Sequence, residues 1–217
     1  MSDTTAPKSA RTRSARRDPK LGRDFYTRAD TLEVARDLLG KRLVVPAESG
    51  ARVSGCIVEV EAYLGVEDRA AHSYGGRRTA RTETMFGLGG RAYVFFVYGM
   101  HYQFNVVTGP AGLPHVVLVR AVEPEEGRRL MLERRPVRSE RELTSGPGKL
   151  CRALGLDLSF DGEDLTGRRI WLEETGVVYA PGQIASGPRV GIDYAGEDAL
   201  KPWRFWVKGN EYVSRKR

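Results

Sequence analysis

Two cysteines in 217 residues leave little scope for covalent cross-links. Cys56 and Cys151 lie far apart and no C-x-x-C occurs, so they read as small core residues of a reducing compartment rather than a disulfide framework. No apolar run approaches the length of a membrane span. Residues 1–20 lack the apolar middle of a secretory signal. Their Arg, Ser and Thr content suits a transit peptide, but Asp3 and Asp18 speak against one. A cytoplasmic or nucleoid-associated protein is expected. Histidine is scarce, three in all, and the spacing of His72, His101 and His115 fits no standard zinc pattern. Even His72 with Glu67 and Asp68 reads better as a hydrogen-bonding group in a pocket than as a metal ligand. Acidic residues are outnumbered, 28 against 35 Lys and Arg, for a net charge of +7. That balance favours nucleic acid, an acidic membrane surface or another polyanion as partner.

With 41% hydrophobic residues the chain can bury a sizeable core. Residues 1–20 carry Lys8, Arg11, Arg13, Arg16, Arg17 and Lys20 against two acids. They read as a disordered basic arm, whether a non-specific DNA-binding segment or a solubilising tail. No repeat or linker interrupts residues 21–210, which makes 21–217 a single domain. Asp30 and Glu33 open a helix over 31–39, with Leu32, Ala35, Leu38 and Leu39 as its apolar stripe and Gly40 as its stop. Strands are expected at 41–46, 53–64, 91–98, 101–107 and 115–123, the third of them central because it is apolar on both faces, the last ended by Pro124. A helix over 125–135 would put acids at its start and arginines towards its end. Ser145 would cap a third helix running to Leu154. Short strands follow at 170–173, 188–192 and 204–208.

The most informative segment is Glu59-Val60-Glu61-Ala62-Tyr63. Alternate residues of a strand share a face, so two carboxylates and an aromatic ring line one surface of an otherwise basic chain. A carboxylate held there can act as a general base on water or stabilise a developing cation. A surface glutamate paired with an arginine fits the spacing equally, and spacing cannot separate Glu61 from Glu59. The long stretch from Gly65 to Gly90 holds His72 with Arg77, Arg78 and Arg81, and a loop of that length in a compact domain is usually functional or disordered. Tyr98-Gly99-Met100 looks like a hairpin tip, where an aromatic beside a basic loop could wedge into a base stack. Ser145 to Lys149 place backbone N–H groups and a lysine at a helix start, a ready phosphate site. They lack the Walker spacing, and Gly87-Leu88-Gly89-Gly90 lacks the Rossmann one.

At this point the chain resembles the alkyladenine (3-methyladenine) DNA glycosylases of the mammalian type. The segments that carry the likeness are Val58 to Gly65, Glu67-Asp68 with Ala70 to Ser73, Met85-Phe86, Tyr98 to Met100 with Asn105, Val119 to Ala121, Glu123-Pro124, Leu143 to Cys151, Gly187 to Gly191 and Lys201 to Phe205. The resemblance covers roughly residues 25–212. It implies a mixed α+β domain with a curved, mostly antiparallel sheet, surrounding helices and a protruding β-hairpin that enters the minor groove. It implies a monomer that uses no metal or organic cofactor, binds double-stranded DNA containing damaged purines and hydrolyses their N-glycosidic bond. Carried over by position, Glu61 would activate water and Arg120 would help to hold it. Tyr63, His72, Phe95 and Asn105 would line the base pocket, Asn105 discriminating against the amino group of guanine. Tyr98 would fill the gap left by the flipped nucleotide, while Arg77, Arg78, Arg81 and Lys149 would contact phosphates. Phe95 stands where the mammalian enzymes have tyrosine, so a hydroxyl is lost there. A non-catalytic nucleic-acid-binding module is the alternative, but it has no use for a buried Glu61 beside Arg120.

Overall fold

The computed structural model describes residues 19–214. The greater part of the expected basic arm lies outside the described residues. Its last two members are already part of the fold: Lys20 bridges Glu173, and Pro19 O accepts the Glu174 N–H at 2.9 Å.

In chain order the elements are α1 (Arg23–Tyr26), α2 (Thr31–Leu38), β1 (Arg42–Pro46), β2 (Arg52–Leu64), β3 (Ala92–Val97), β4 (His101–Thr108), β5 (His115–Glu126), α3 (Arg128–Arg134), α4 (Pro147–Leu154), β6 (Trp171–Glu173), β7 (Ile184–Gly187) and β8 (Arg204–Val207). All eight strands form one sheet in the order β3-β4-β5-β2-β1-β6, with the β7–β8 hairpin joined to β2 through β8. The pairings are antiparallel. This is the expected α+β architecture, with β2 at its centre. One side of β2 runs along β5; the other pairs with β1 through its first half and with β8 at Glu59, Val60 and Glu61.

Alternation divides the sheet into a packed face and a working face. Val60, Ala62, Val94, Phe104, Val106, Val117 and Val119 join the main core, against Val34, Ala35 and Leu38 of α2 and Leu150, Cys151 and Leu154 of α4. Each fully buried Val or Leu contributes about 1.5–3 kcal/mol. The Asp30 carboxylate caps α2 by accepting the Leu32 and Glu33 N–H groups at 2.8 and 3.1 Å. The intervening residues Tyr93, Phe95, Asn105, Val116, Leu118 and Arg120 line a cavity on the other face.

Several boundaries differ from expectation. β3 is an edge strand, not a central one. Its second face is buried by the cavity cluster, and its free edge is covered by loop 161–164, where Ala92 N–H donates to Glu163 O at 2.8 Å and Val94 N–H to Asp161 Oδ1 at 2.9 Å. β5 runs through Pro124 to Glu126 because a register shift pairs Gly55 with Pro124 and Ser54 with Glu126; the bulge accommodates a residue without an N–H. The next helix therefore starts at Arg128, and the two acids expected in its first turn end the strand. Gly127 before it has φ +72°, and a Cβ there would meet Arg52 O at 2.7 Å. α4 begins at Pro147 behind Gly146 and has no side-chain cap; Ser145 instead bridges Ala121 of β5. Residues 188–192 form no strand, and the preceding residues 184–187 pair with β8 in their place.

Candidate active site

The bulges that interrupt β2 and β5 build the site. Ile57 pairs with Val122, Glu59 with Ala121 and Val60 with Val119. Val58 and Arg120 are thus the extra residues on their strands, and a bulge re-aims the side chain it carries. Arg120 is thereby set between the two glutamates. Its Nη1 lies 3.2 Å from Glu61 Oε2 and its Nε donates to Glu59 Oε1 at 2.8 Å. Both carboxylates are fully buried. Burial opposes the charge on Arg120, but Glu61 and then Glu59 outweigh it and raise its pKa above the ordinary arginine value.

Glu61 accepts two hydrogen bonds, from the Tyr63 hydroxyl to Oε2 at 2.9 Å and from Val190 N–H to Oε1 at 2.7 Å. A carboxylate offers about four lone-pair sites; with Tyr63 and the Arg120 ion pair on Oε2 and Val190 N–H on Oε1, a site is left open on Oε1. Burial first, and the Glu61 charge second, push the Tyr63 hydroxyl well above its usual pKa; it stays a proton donor to Glu61. Glu61 lies behind the cavity wall, and its three partners, Arg120, Tyr63 and Val190, line the cavity itself.

That cavity encloses about 210 Å³ and is lined by Tyr63, His72, Tyr93, Phe95, Tyr98 and Asn105 among others. His72 Nδ1 lies 2.9 Å from the Tyr93 hydroxyl, and its ring meets Phe95 edge-on at 4.5 Å between centroids. Burial, then the nearby Arg81 and Arg77 charges, lower the His72 pKa to about 4. The ring is therefore neutral at physiological pH, with one donor and one acceptor nitrogen. Its bond to Tyr93 decides which of these Nε2 offers a ligand. Buried Asn105 donates to Tyr93 O at 3.1 Å. The hydroxyl counted as lost at Phe95 is present two residues away on Tyr93, whose ring is 5.4 Å from that of Phe95.

Tyr98 stands at the cavity mouth, 79% exposed. It occupies the tip of the β3–β4 hairpin, where Met100 N–H donates to Val97 O at 3.2 Å. Tyr98 and Gly99 have φ of 54° and 67°, and Tyr98 is the only non-glycine residue with positive φ among the described residues. A tight turn with both central residues left-handed suits Asn-Gly or Gly-Gly. A tyrosine costs about 1–2 kcal/mol there, so an exposed ring in a strained position points to function.

The expected phosphate contacts do not form one group. Arg81 lies 5.1 Å over the Phe95 ring, at the cavity. Arg77 is exposed, and Arg78 forks onto Glu83 at 2.8 and 2.6 Å on the surface. Lys149 belongs to a second cleft beside the first, which shares Tyr98, Gln103, Arg120 and Val190 with it and continues along the first turn of α4. Among the described residues, no three His, Cys, Asp or Glu side chains converge as metal ligands would. No helix among them is long and apolar enough to cross a membrane.

Sequence reading left Glu59 without a role and missed Asp68 and Arg189. Glu59 accepts from Arg120, Arg204 and Ser214. Arg189 grips buried Asp68 at 2.5 and 2.8 Å and stacks 4.6 Å from the Tyr63 ring. No motif signals such pairs, because their partners are 121 residues apart for Asp68 and up to 155 for Glu59.

Comparison with known proteins identifies the family. Residues 24–211 match the family described as Methylpurine-DNA glycosylase (MPG). A protein of Desulfitobacterium hafniense (strain Y51) named "Putative 3-methyladenine DNA glycosylase" is 53% identical over 205 residues, covering 91% of this chain and 99% of its own. Proteins of the same name from Bacillus cytotoxicus and from Bacillus cereus (strain G9842) are 48% and 49% identical, each covering 88% of this chain and 97% of its own. The relatives named here are bacterial, and the chain belongs to the methylpurine-DNA glycosylase family.

Proposed function

We propose that this DNA glycosylase takes alkylated or deaminated purines out of the duplex, 3-methyladenine, 7-methylguanine, hypoxanthine and ethenoadenine among them, and hydrolyses the N-glycosidic bond with water activated by Glu61. The abasic site left behind enters base-excision repair. The observation that carries the reading is the buried Glu61–Arg120 pair directly behind an aromatic cavity. Water at the remaining lone pair of Glu61 loses its proton to the carboxylate while its oxygen attacks the sugar carbon. The negative charge beside the sugar stabilises its cationic character as the base departs.

Extrusion of a base costs a few kcal/mol, least for a damaged pair, and insertion of the Tyr98 ring into the vacated stack offsets part of it. The aromatic walls accept any purine face and attract cationic alkylated bases. Asn105 and neutral His72 supply the hydrogen bonds that sort one base from another, the discrimination that the likeness to the mammalian enzymes implies. Arg77, Arg78, Arg81 and Lys149 approach the phosphates and make binding salt-dependent.

Incubation with duplexes bearing hypoxanthine, ethenoadenine or an alkylated purine, with chelator present, tests the reading. Release of free base is expected. Tight binding to the same duplexes without release identifies a binding module instead.

A further inference from the structure

The segment after β8 returns to the centre of the sheet. Asn210 Nδ2 donates to Glu123 Oε2 at 3.0 Å, Tyr212 and Val213 pack on the main core, and Ser214 is buried. Ser214 makes four polar contacts there. Its N–H donates to Glu59 Oε2 at 2.6 Å and its Oγ to Glu59 Oε1 at 2.8 Å. The same Oγ accepts from Arg120 Nη2 at 3.3 Å, and Ser214 O accepts from Arg204 Nη2 at 3.1 Å.

Resting on the glycosylase reading, we propose that Gly209 to Ser214 form a latch that aims the catalytic arginine: Ser214 and Glu59 are positioning residues that fix the Arg120 guanidinium against Glu61. The hydrogen-bond inventory carries this. Arginine has five N–H donors in a planar fork. Nε is hydrogen-bonded to Glu59 and one Nη2 hydrogen to Ser214, while Nη1 is ion-paired with Glu61 at 3.2 Å. The remaining N–H groups are those that can turn to substrate or water, and Arg120 reaches both the base cavity and the second cleft.

Charge supports the same view. Glu59 and Glu61 balance Arg120 and Arg204, all four buried. Without the contacts to Glu59 and Ser214, Arg120 would keep only its ion pair with Glu61 and could rotate about it. Misplacement of a catalytic group by an ångström costs up to about a hundredfold in rate. The latch also lines the second cleft: Gly209, Asn210, Glu211, Val213 and Ser214 share its lining with Ser145 to Lys149.

Full-length Ser214→Ala, Ser214→Thr and wild type are compared in single-turnover excision and in lesion-duplex affinity, and the Arg120 Nε–H proton is followed by NMR. Ser214→Ala is expected to slow excision roughly ten- to a hundredfold while affinity changes less than about threefold. Its Nε–H exchange should accelerate, and Ser214→Thr, which restores the hydroxyl, should recover most of both. Excision by Ser214→Ala at the wild-type rate overturns the proposal. If Ser214→Ala does not fold, Ser214→Cys, with a weak donor in the same place, is read with the same two outcomes. If wild type releases no base, the glycosylase reading fails. The Nε–H proton then decides the latch alone: faster exchange in the variant supports it and unchanged exchange overturns it.

Discussion

Asp68→Asn would change one atom and remove the counter-charge of a fully enclosed arginine. Asp68 Oδ2 accepts from Arg189 Nη1 and Leu64 N–H, and Oδ1 from Arg189 Nη2 and Ala70 N–H. Whichever way the new amide is turned, its NH2 group faces an arginine N–H and a backbone N–H. No flip relieves the opposition of donors. Arg189 keeps bonds to two carbonyls, Ala62 O at 2.9 Å and Asp198 O at 3.2 Å, but loses its ion pair. Breaking a buried pair on one side costs about 3–5 kcal/mol. For a domain of this size that is a fall in Tm of about 6–20 °C. The damage should also reach the site, because Asp68 closes the turn leading to His72 and Arg189 supports the back of the Tyr63 ring. The assay is a double-mutant cycle in urea, with constant m as the check on two-state behaviour. Arg189→Met removes the cation in the second arm, and the double variant should regain about 2–3 kcal/mol over the sum of the singles. Asp68→Asn within about 1 kcal/mol of wild type, or simple additivity in the cycle, would refute the reasoning.

Two further perturbations separate local strain and charge from function. Tyr98→Asn places a residue that tolerates the left-handed region at the hairpin tip; stability should hold or rise by about 1 kcal/mol while lesion affinity falls at least tenfold, and unchanged affinity removes the wedge. His72 should titrate at about 4 by NMR, and Arg81→Met should raise that midpoint; a wild-type midpoint above 6 contradicts the enclosed neutral ring. The sign for stability follows from the depressed value. As pH falls below the unfolded pKa of about 6.5, the unfolded chain binds a proton that the folded chain refuses. Stability is therefore lost between about pH 6.5 and 4, and His72 causes no further loss below that.

Local signals carried much of the fold. Asp30 with its apolar stripe marked α2, alternation marked β2 and β4, and Tyr98-Gly99 marked the hairpin tip. Boundaries failed where tertiary context overrode a local rule. Pro124 reads as a stop, yet a bulge against Gly55 lets β5 continue. Ala92 to Val97 read as central because both faces are apolar, but the second face lines a cavity and the edge is sealed by a loop. Pro188 to Ile192 look like a strand, yet Arg189 is drawn to Asp68 and Val190 N–H to Glu61. The site followed the same division. Tyr63, His72, Phe95, Asn105, Tyr98 and Arg120 line one cavity, with Glu61 paired to Arg120. The role of Glu59 depends on β8 and Ser214, which meet β2 from far along the sequence.

Glu61→Gln tests the central claim most directly. The substitution keeps shape and an acceptor oxygen for Val190 N–H and removes the ability to take a proton; it also removes the counter-charge of Arg120 and turns an NH2 group towards Arg120 Nη1 and the Tyr63 hydroxyl, so the fold of the variant is checked by urea unfolding beside the assay. With ethenoadenine or hypoxanthine duplex, affinity should stay within about threefold of wild type while single-turnover base release falls by roughly 10²–10⁴. Release at near the wild-type rate would contradict the assignment of Glu61 as the group that activates water.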